Sequence, residues 1–145
     1  MNHVPSPARR ARFAGLLLAA ALPACQVGGS SRVLALKGEA APTEIILAVA
    51  RAAQTCWFKS ADSAFAAYRL ADEVNSPAGR PRVLLVPRRD PSALPVLVIQ
   101  AETKGTTASG TFSDIQAYGP LLSSAHGERI AGDVRRWASG DNACA

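Results

Sequence analysis

Ten uncharged residues in a row, Phe-Ala-Gly-Leu-Leu-Leu-Ala-Ala-Ala-Leu at 13–22, follow a start that carries Arg9, Arg10 and Arg12 and no acid. This stretch decides how much of the chain is left to fold. As a helix it reaches about 15 Å, half of a bilayer's hydrocarbon thickness, so it is too short for a standard transmembrane span. Its length and basic flank fit an export signal, in which the basic side stays in the cytoplasm while the apolar run enters the translocon. Arg9-Arg10 also admits a twin-arginine route, which would change the path and not the destination. Of 145 residues, what remains is the size of one small domain, which excludes a multidomain enzyme.

The run ends in Leu22-Pro23-Ala24-Cys25. This resembles the lipobox of bacterial lipoprotein precursors: an aliphatic residue, a small residue, Gly or Ala, then Cys. Leu22, Ala24 and Cys25 match the pattern, and Pro23 departs from it. The resemblance covers the first 25 residues. It implies that Cys25 receives a diacylglyceryl group, that cleavage occurs just before it, and that the new amino terminus is acylated. Two or three acyl chains anchor stably where one is marginal. Residue 26 is Gln and not Asp; by resemblance to lipoprotein sorting, that implies the outer membrane, on its periplasmic side. An ordinary cleaved signal, which would leave a soluble periplasmic or secreted domain, and an uncleaved anchor are the alternatives.

The cysteines follow from that resemblance. There are three, an awkward number for an exported chain. Lipidation of Cys25 leaves Cys56 and Cys144 as a pair in an oxidising compartment, where a disulfide is expected. Such a bridge pins the chain's end back onto its first helix. On loop-entropy grounds it is worth about 4–5 kcal/mol, a large share of a small domain's net stability. The alternative is two unrelated buried thiols. Two Cys without a nearby His or third ligand do not close a zinc shell, so no metal and no cofactor is expected.

Charge needs dividing before use. The whole chain is +5 with a pI near 9.6. Setting aside Arg9, Arg10 and Arg12 leaves 13 basic against 11 acidic residues. That small excess gives little reason to expect nucleic acid as a partner. Apolar residues make up 48% and charged residues 19%, which excludes global disorder.

Along the mature chain, residues 25–41 read as a lipidated Cys and tether, with Gly28-Gly29-Ser30-Ser31 of flexible-linker composition. Val33, Leu34 and Leu36 fit either a brief strand or a segment passing over the domain. The domain is expected over 42–145. Pro42-Thr43-Glu44 opens a helix. Ile45, Ile46, Val49, Ala53, Cys56 and Trp57 give it one apolar face over 43–57. Four strand-like runs follow at 64–74, 82–86, 94–102 and 111–118, separated by turn chemistry. The third is apolar on both faces and therefore central. After Gly119-Pro120, residues 122, 125, 130, 134 and 137 share a helical face, with the reliable helix at 127–139. Gly127 and Gly132 weaken it by about 1 kcal/mol each. The expected class is α+β: a two-layer α-β-β-β-β-α sandwich with a four-stranded antiparallel sheet and both helices on one face.

No catalytic constellation emerges. His126 is the mature chain's single His. Ser123 and Ser124 are close in sequence, but the sharp Gly-x-Ser-x-Gly elbow that exposes a nucleophile is missing. The stretch 105–110, Gly-Thr-Thr-Ala-Ser-Gly, lacks the Gly-Lys-Ser/Thr ending of a phosphate loop and reads as a hairpin turn. Arg80, Arg82, Arg88 and Arg89 gather around the second expected strand, and Arg135 and Arg136 lie on the last helix. They form a candidate surface for an anionic partner, or else a solvated rim that protects a sheet edge. If both helices cover one side of the sheet, Leu97, Ile99 or their alternates face outward and need cover. The expected function is a non-enzymatic, membrane-anchored binding or assembly module of the cell envelope, with a possible envelope protein partner. A periplasmic inhibitor or a lipid or glycan carrier using the open sheet face is the second reading. A cell-wall or lipid hydrolase is the rival from another class.

Overall fold

Strand alternation begins earlier than the helix that Pro42 opens. In the computed structural model, which describes residues 32–145 apart from Pro91 and Ser109, Val33–Gly38 is a strand, β1. Leu34 and Leu36 turn toward the interior, while Val33, Ala35 and Lys37 are exposed. The sheet therefore has five strands and not four, and it takes in part of what reads from sequence as tether. Gly38 is the last residue of β1, where a Cβ would stand 2.5 Å from Ile45 Cδ1. The segment expected to be an export signal, Cys25 and residues 26–31 lie outside the described residues.

Helix α1 spans Pro42–Ala53. Ala41 has no side chain to cap it, and the Glu44 carboxylate reaches back to accept the Ala41 N–H at 3.4 Å. The helix does not stop at 57. It widens into a π-helical turn over Gln54–Lys59, where the Ser60 N–H reaches Thr55 O five residues back. Widening lets consecutive side chains, Cys56 and Trp57, both become buried. The expected strand at 64–74 starts late. Asp62 accepts the Ala64 N–H at 3.0 Å and folds Ser63–Phe65 into a single 3₁₀ turn, so β2 is Tyr68–Glu73. Then come β3 at Arg82–Pro87, β4 at Leu97–Thr107 and β5 at Gly110–Tyr118. A second 3₁₀ turn, Pro120–Ser123, leads to helix α2 at Gly127–Ala138.

The sheet order is β1-β5-β4-β3-β2, antiparallel throughout. The strand that is apolar on both faces, β4, is indeed central. Both helices pack on one face. Leu34, Val83, Leu85, Leu97, Ile99, Ile115 and Ala117 join Ile45, Ile46, Val49, Ile130, Val134 and Trp137 in one continuous core. The two-layer α+β arrangement holds, with one strand added to its edge.

Candidate functional site

The two ends of the sheet differ in kind. At one end lie the start of β1, the end of β5, the β3–β4 loop and the start of β2. Register fixes this: Val33 pairs with Tyr118, Tyr118 with Val98, and Leu97 with Leu85. At the other end lie Gly38, the β4–β5 hairpin and Glu73 against Arg82. Because β3 runs between the ends, Arg80 and Arg82 sit about 20 Å from Arg88 and Arg89 at strand rise. The arginines that are neighbours in sequence are not one surface.

Most of them are also engaged. Arg80 pairs with Glu102 at 2.8 Å and Arg82 with Glu73 at 2.5 Å. Arg88 Nε donates to Tyr68 O at 2.7 Å. Arg136 turns inward to Asp133 at 2.5 Å and to Ala143 O at 3.3 Å. Arg89 and Arg135 are exposed. The exposed Arg80–Glu102 and Arg82–Glu73 pairs contribute about 0–1 kcal/mol each, so their effect is to orient side chains more than to stabilise.

Cys56 and Cys144 are bonded across 88 residues, with their Cα atoms 5.3 Å apart. The C-terminal tail reaches Cys56 along a defined course. The Asp141 N–H returns to Arg136 O, and Ala143 N donates to Asp141 Oδ1 at 3.0 Å. Ala143 O accepts from Trp137 Nε1 at 3.1 Å. Beneath the bridge, Trp57 stacks on Phe65 with centroids 4.4 Å apart and meets Trp137 at 4.8 Å. Asp133, buried among them, accepts from Trp57 Nε1 at 2.8 Å. The Arg129 guanidinium lies 5.4 Å over the Phe65 ring and pairs with Asp62. The Ala64 N–H and then Arg129 hold the Asp62 carboxyl below its ordinary value. Sequence reasoning passed over Asp133; one acid among the apolar residues of an amphipathic helix was the available signal.

The serines near His126 are used structurally. Ser124 Oγ donates to Leu121 O at 2.7 Å and accepts the backbone N–H of His126 at 3.2 Å. Ser123 Oγ accepts from Arg32 N at 3.4 Å. Neither hydroxyl bonds the imidazole. The stretch at 105–110 lies at the β4–β5 hairpin, where Thr107 pairs with Gly110. Among the described residues there is no grouping of three or more His, Cys, Asp or Glu able to hold a metal, and no helix is long and apolar enough to cross a membrane.

The open face of the sheet is graded. Leu97 and Ile99 face the helices; their alternate, Val98, faces out beside Leu84 and Val86, with Ala71 and Tyr118 at its flanks. One row toward the other end, Gln100 contacts Gln116 at 3.5 Å and accepts from Tyr118 Oη at 3.3 Å. Beyond them Asp114 stands between Lys37 and Lys104. Among the described residues the exposed large apolar side chains are Val33, Leu94 and Phe112. Leu94 reads from sequence as the start of a strand, yet Pro95 keeps it in the loop. A groove of about 490 Å³ opens at the charged end, between Lys37–Ala40, α1 and the last turn of α2. No family model, curated protein or solved structure matches this chain.

Proposed function

We propose that this chain is a lipid-anchored protein of the bacterial cell envelope, and that its domain is a non-enzymatic binding or assembly module on the periplasmic side of the outer membrane. The observation that carries the reading is the Cys56–Cys144 bond. It suits an oxidising compartment, and it leaves Cys25 as the one remaining cysteine, at the position a lipobox requires. Tying the tail to the widened end of α1 closes the domain on itself, which supports reading it as a platform for binding.

Palmitate labelling and membrane partition of the wild type and of Cys25→Ser test this directly. The wild type is expected to carry label and to sediment with membranes, with a mature mass starting at residue 25 plus acyl groups. Cys25→Ser loses both. Unlabelled wild type, or unchanged partition of Cys25→Ser, removes the anchor. For the module, a pull-down with the wild-type lipoprotein from envelope extract is expected to retain a stable protein partner. A copurifying lipid or glycan would instead support a carrier, and substrate turnover lost on His126→Ala would revive a hydrolase.

A further inference from the structure

Six residues, 26–31, separate Cys25 from Arg32. Fully extended, the chain from Cys25 to Arg32 reaches about 25 Å. A domain of this size is about 30 Å across or more, judged from its expected radius of gyration. Lipid on Cys25 therefore keeps the end of the domain that carries Arg32 near the bilayer. That end is defined: Arg32 N donates to Ser123 Oγ, and its guanidinium pairs with Glu128.

The same end carries two of the exposed apolar side chains, Val33 at 57% and Leu94 at 87% exposure. Leu94 is held out on a loop whose backbone is tied down. Ala93 N donates to Asp90 O at 3.1 Å, Val96 N donates to Leu85 O at 2.9 Å, and Val96 O accepts from Leu121 N at 3.0 Å. Charge agrees with this placement. Of the acids there, Glu128 is taken up by Arg32 and Asp62 by Arg129. Asp90 stays charged, its carboxylate favoured by the Ser92 hydroxyl and N–H of its own turn, so with Arg88 and Arg89 the segment 88–96 carries one positive charge in excess. Arg88 and Arg89 are exposed beside it. At the opposite end Glu102, Glu73 and Asp114 are paired with Arg80, Arg82, Lys37 and Lys104, Glu39, Glu44 and Asp72 add acid beyond those pairs, and Phe112 is the exposed large apolar residue there.

We propose that the β1-start end of the sheet is a bilayer-facing surface, with Leu94 seated in the headgroup layer and Arg88 and Arg89 against anionic lipid phosphates. This rests on the reading of Cys25 as the lipidated residue. An apolar side chain entering the headgroup boundary beside cations is how peripheral surfaces gain affinity for anionic lipid.

Flotation with vesicles of phosphatidylethanolamine and phosphatidylglycerol brominated on the acyl chains tests it, using the full mature lipoprotein. Trp57 and Trp137 are buried and give a background that lipid does not quench. Leu94→Trp is expected to be quenched several-fold more than Ala108→Trp, placed at the opposite end. Arg89→Glu is expected to cut the quenching at position 94 to about half. If the protein floats and the two tryptophans are quenched alike, the surface is wrong while the anchor stands. If Arg89→Glu changes nothing, the phosphate contact is overturned. If the protein carries no acyl mass and does not float, the anchor falls and takes this surface with it.

Discussion

The indole of Trp57 donates to the carboxylate of Asp133 at 2.8 Å, joining the widened end of α1 to the middle of α2 inside the core. Asp133 is 2% exposed, and its other oxygen takes Arg136. A buried carboxylate is tolerated because each partner offsets part of its desolvation. Removing it strands a buried indole N–H and leaves the Arg136 guanidinium with only the Ala143 carbonyl. Asp133→Ala is expected to lose about 3 kcal/mol, and Asp133→Asn about 1–2 kcal/mol, since an amide oxygen still accepts. Urea unfolding of both variants measures this. An alanine variant as stable as the asparagine one would show that the indole bond contributes nothing.

The bridge acts on the unfolded chain more than on the folded one. Closing a loop of 88 residues is worth about 4–5 kcal/mol on entropy grounds. Cys144→Ser, or wild type under reductant, is expected to unfold at lower temperature by a margin of that order. The Trp137 indole should also change its emission as Ala143 O is released from it. Oxidised and reduced protein melting together would show that the tail adds no stability.

Much of this architecture was readable from residue pattern. The doubly apolar β4 announced a central strand, and the helical faces of α1 and α2 announced a shared core. What the pattern left open or missed was decided by pairing with distant segments or by a single local side-chain bond. β1 has only Leu34 and Leu36 to bury, and it becomes a strand because β5 offers an edge. Asp62 converts the start of a strand-like run into a turn through one side-chain bond. The arginines divide for a related reason: nearness in sequence along β3 becomes separation to opposite ends of the sheet. Asp133 showed only as an acid on an apolar helix face, and its partner, Trp57, lies 76 positions away.

Acid should weaken the fold partly through Asp62. Its carboxyl is held below the ordinary 3.8, first by the Ala64 N–H and then by Arg129. A depressed folded value means that the unfolded chain binds the proton first. Stability from this group is therefore present above the unfolded value near 3.8 and is lost as pH falls through the lower folded value. Urea midpoints between pH 6 and pH 3 are expected to fall more for wild type than for Asp62→Asn. Parallel slopes would show that the Ala64 and Arg129 contacts do not favour the carboxylate.

The two glycines of α2 make opposite demands. Gly132 sits mid-helix, and a Cβ there would meet nothing within 4 Å. Gly132→Ala should stabilise by about 1 kcal/mol, the ordinary helix preference for Ala. At Gly127 a Cβ would fall 2.0 Å from Leu122 O. That contact is backbone, fixed by the 3₁₀ turn and by the Gly127 N–H bonded to Ser124 O at 3.0 Å. Gly127→Ala must therefore shift the start of α2 away from the turn and disturb Leu122, which is fully buried. A loss of about 2 kcal/mol or more is expected, in the range of overpacked cores. Thermal melts of the two variants should move in opposite directions. If both rise, helix preference outweighs the close approach, and the turn before α2 yields more readily than its hydrogen bonds imply.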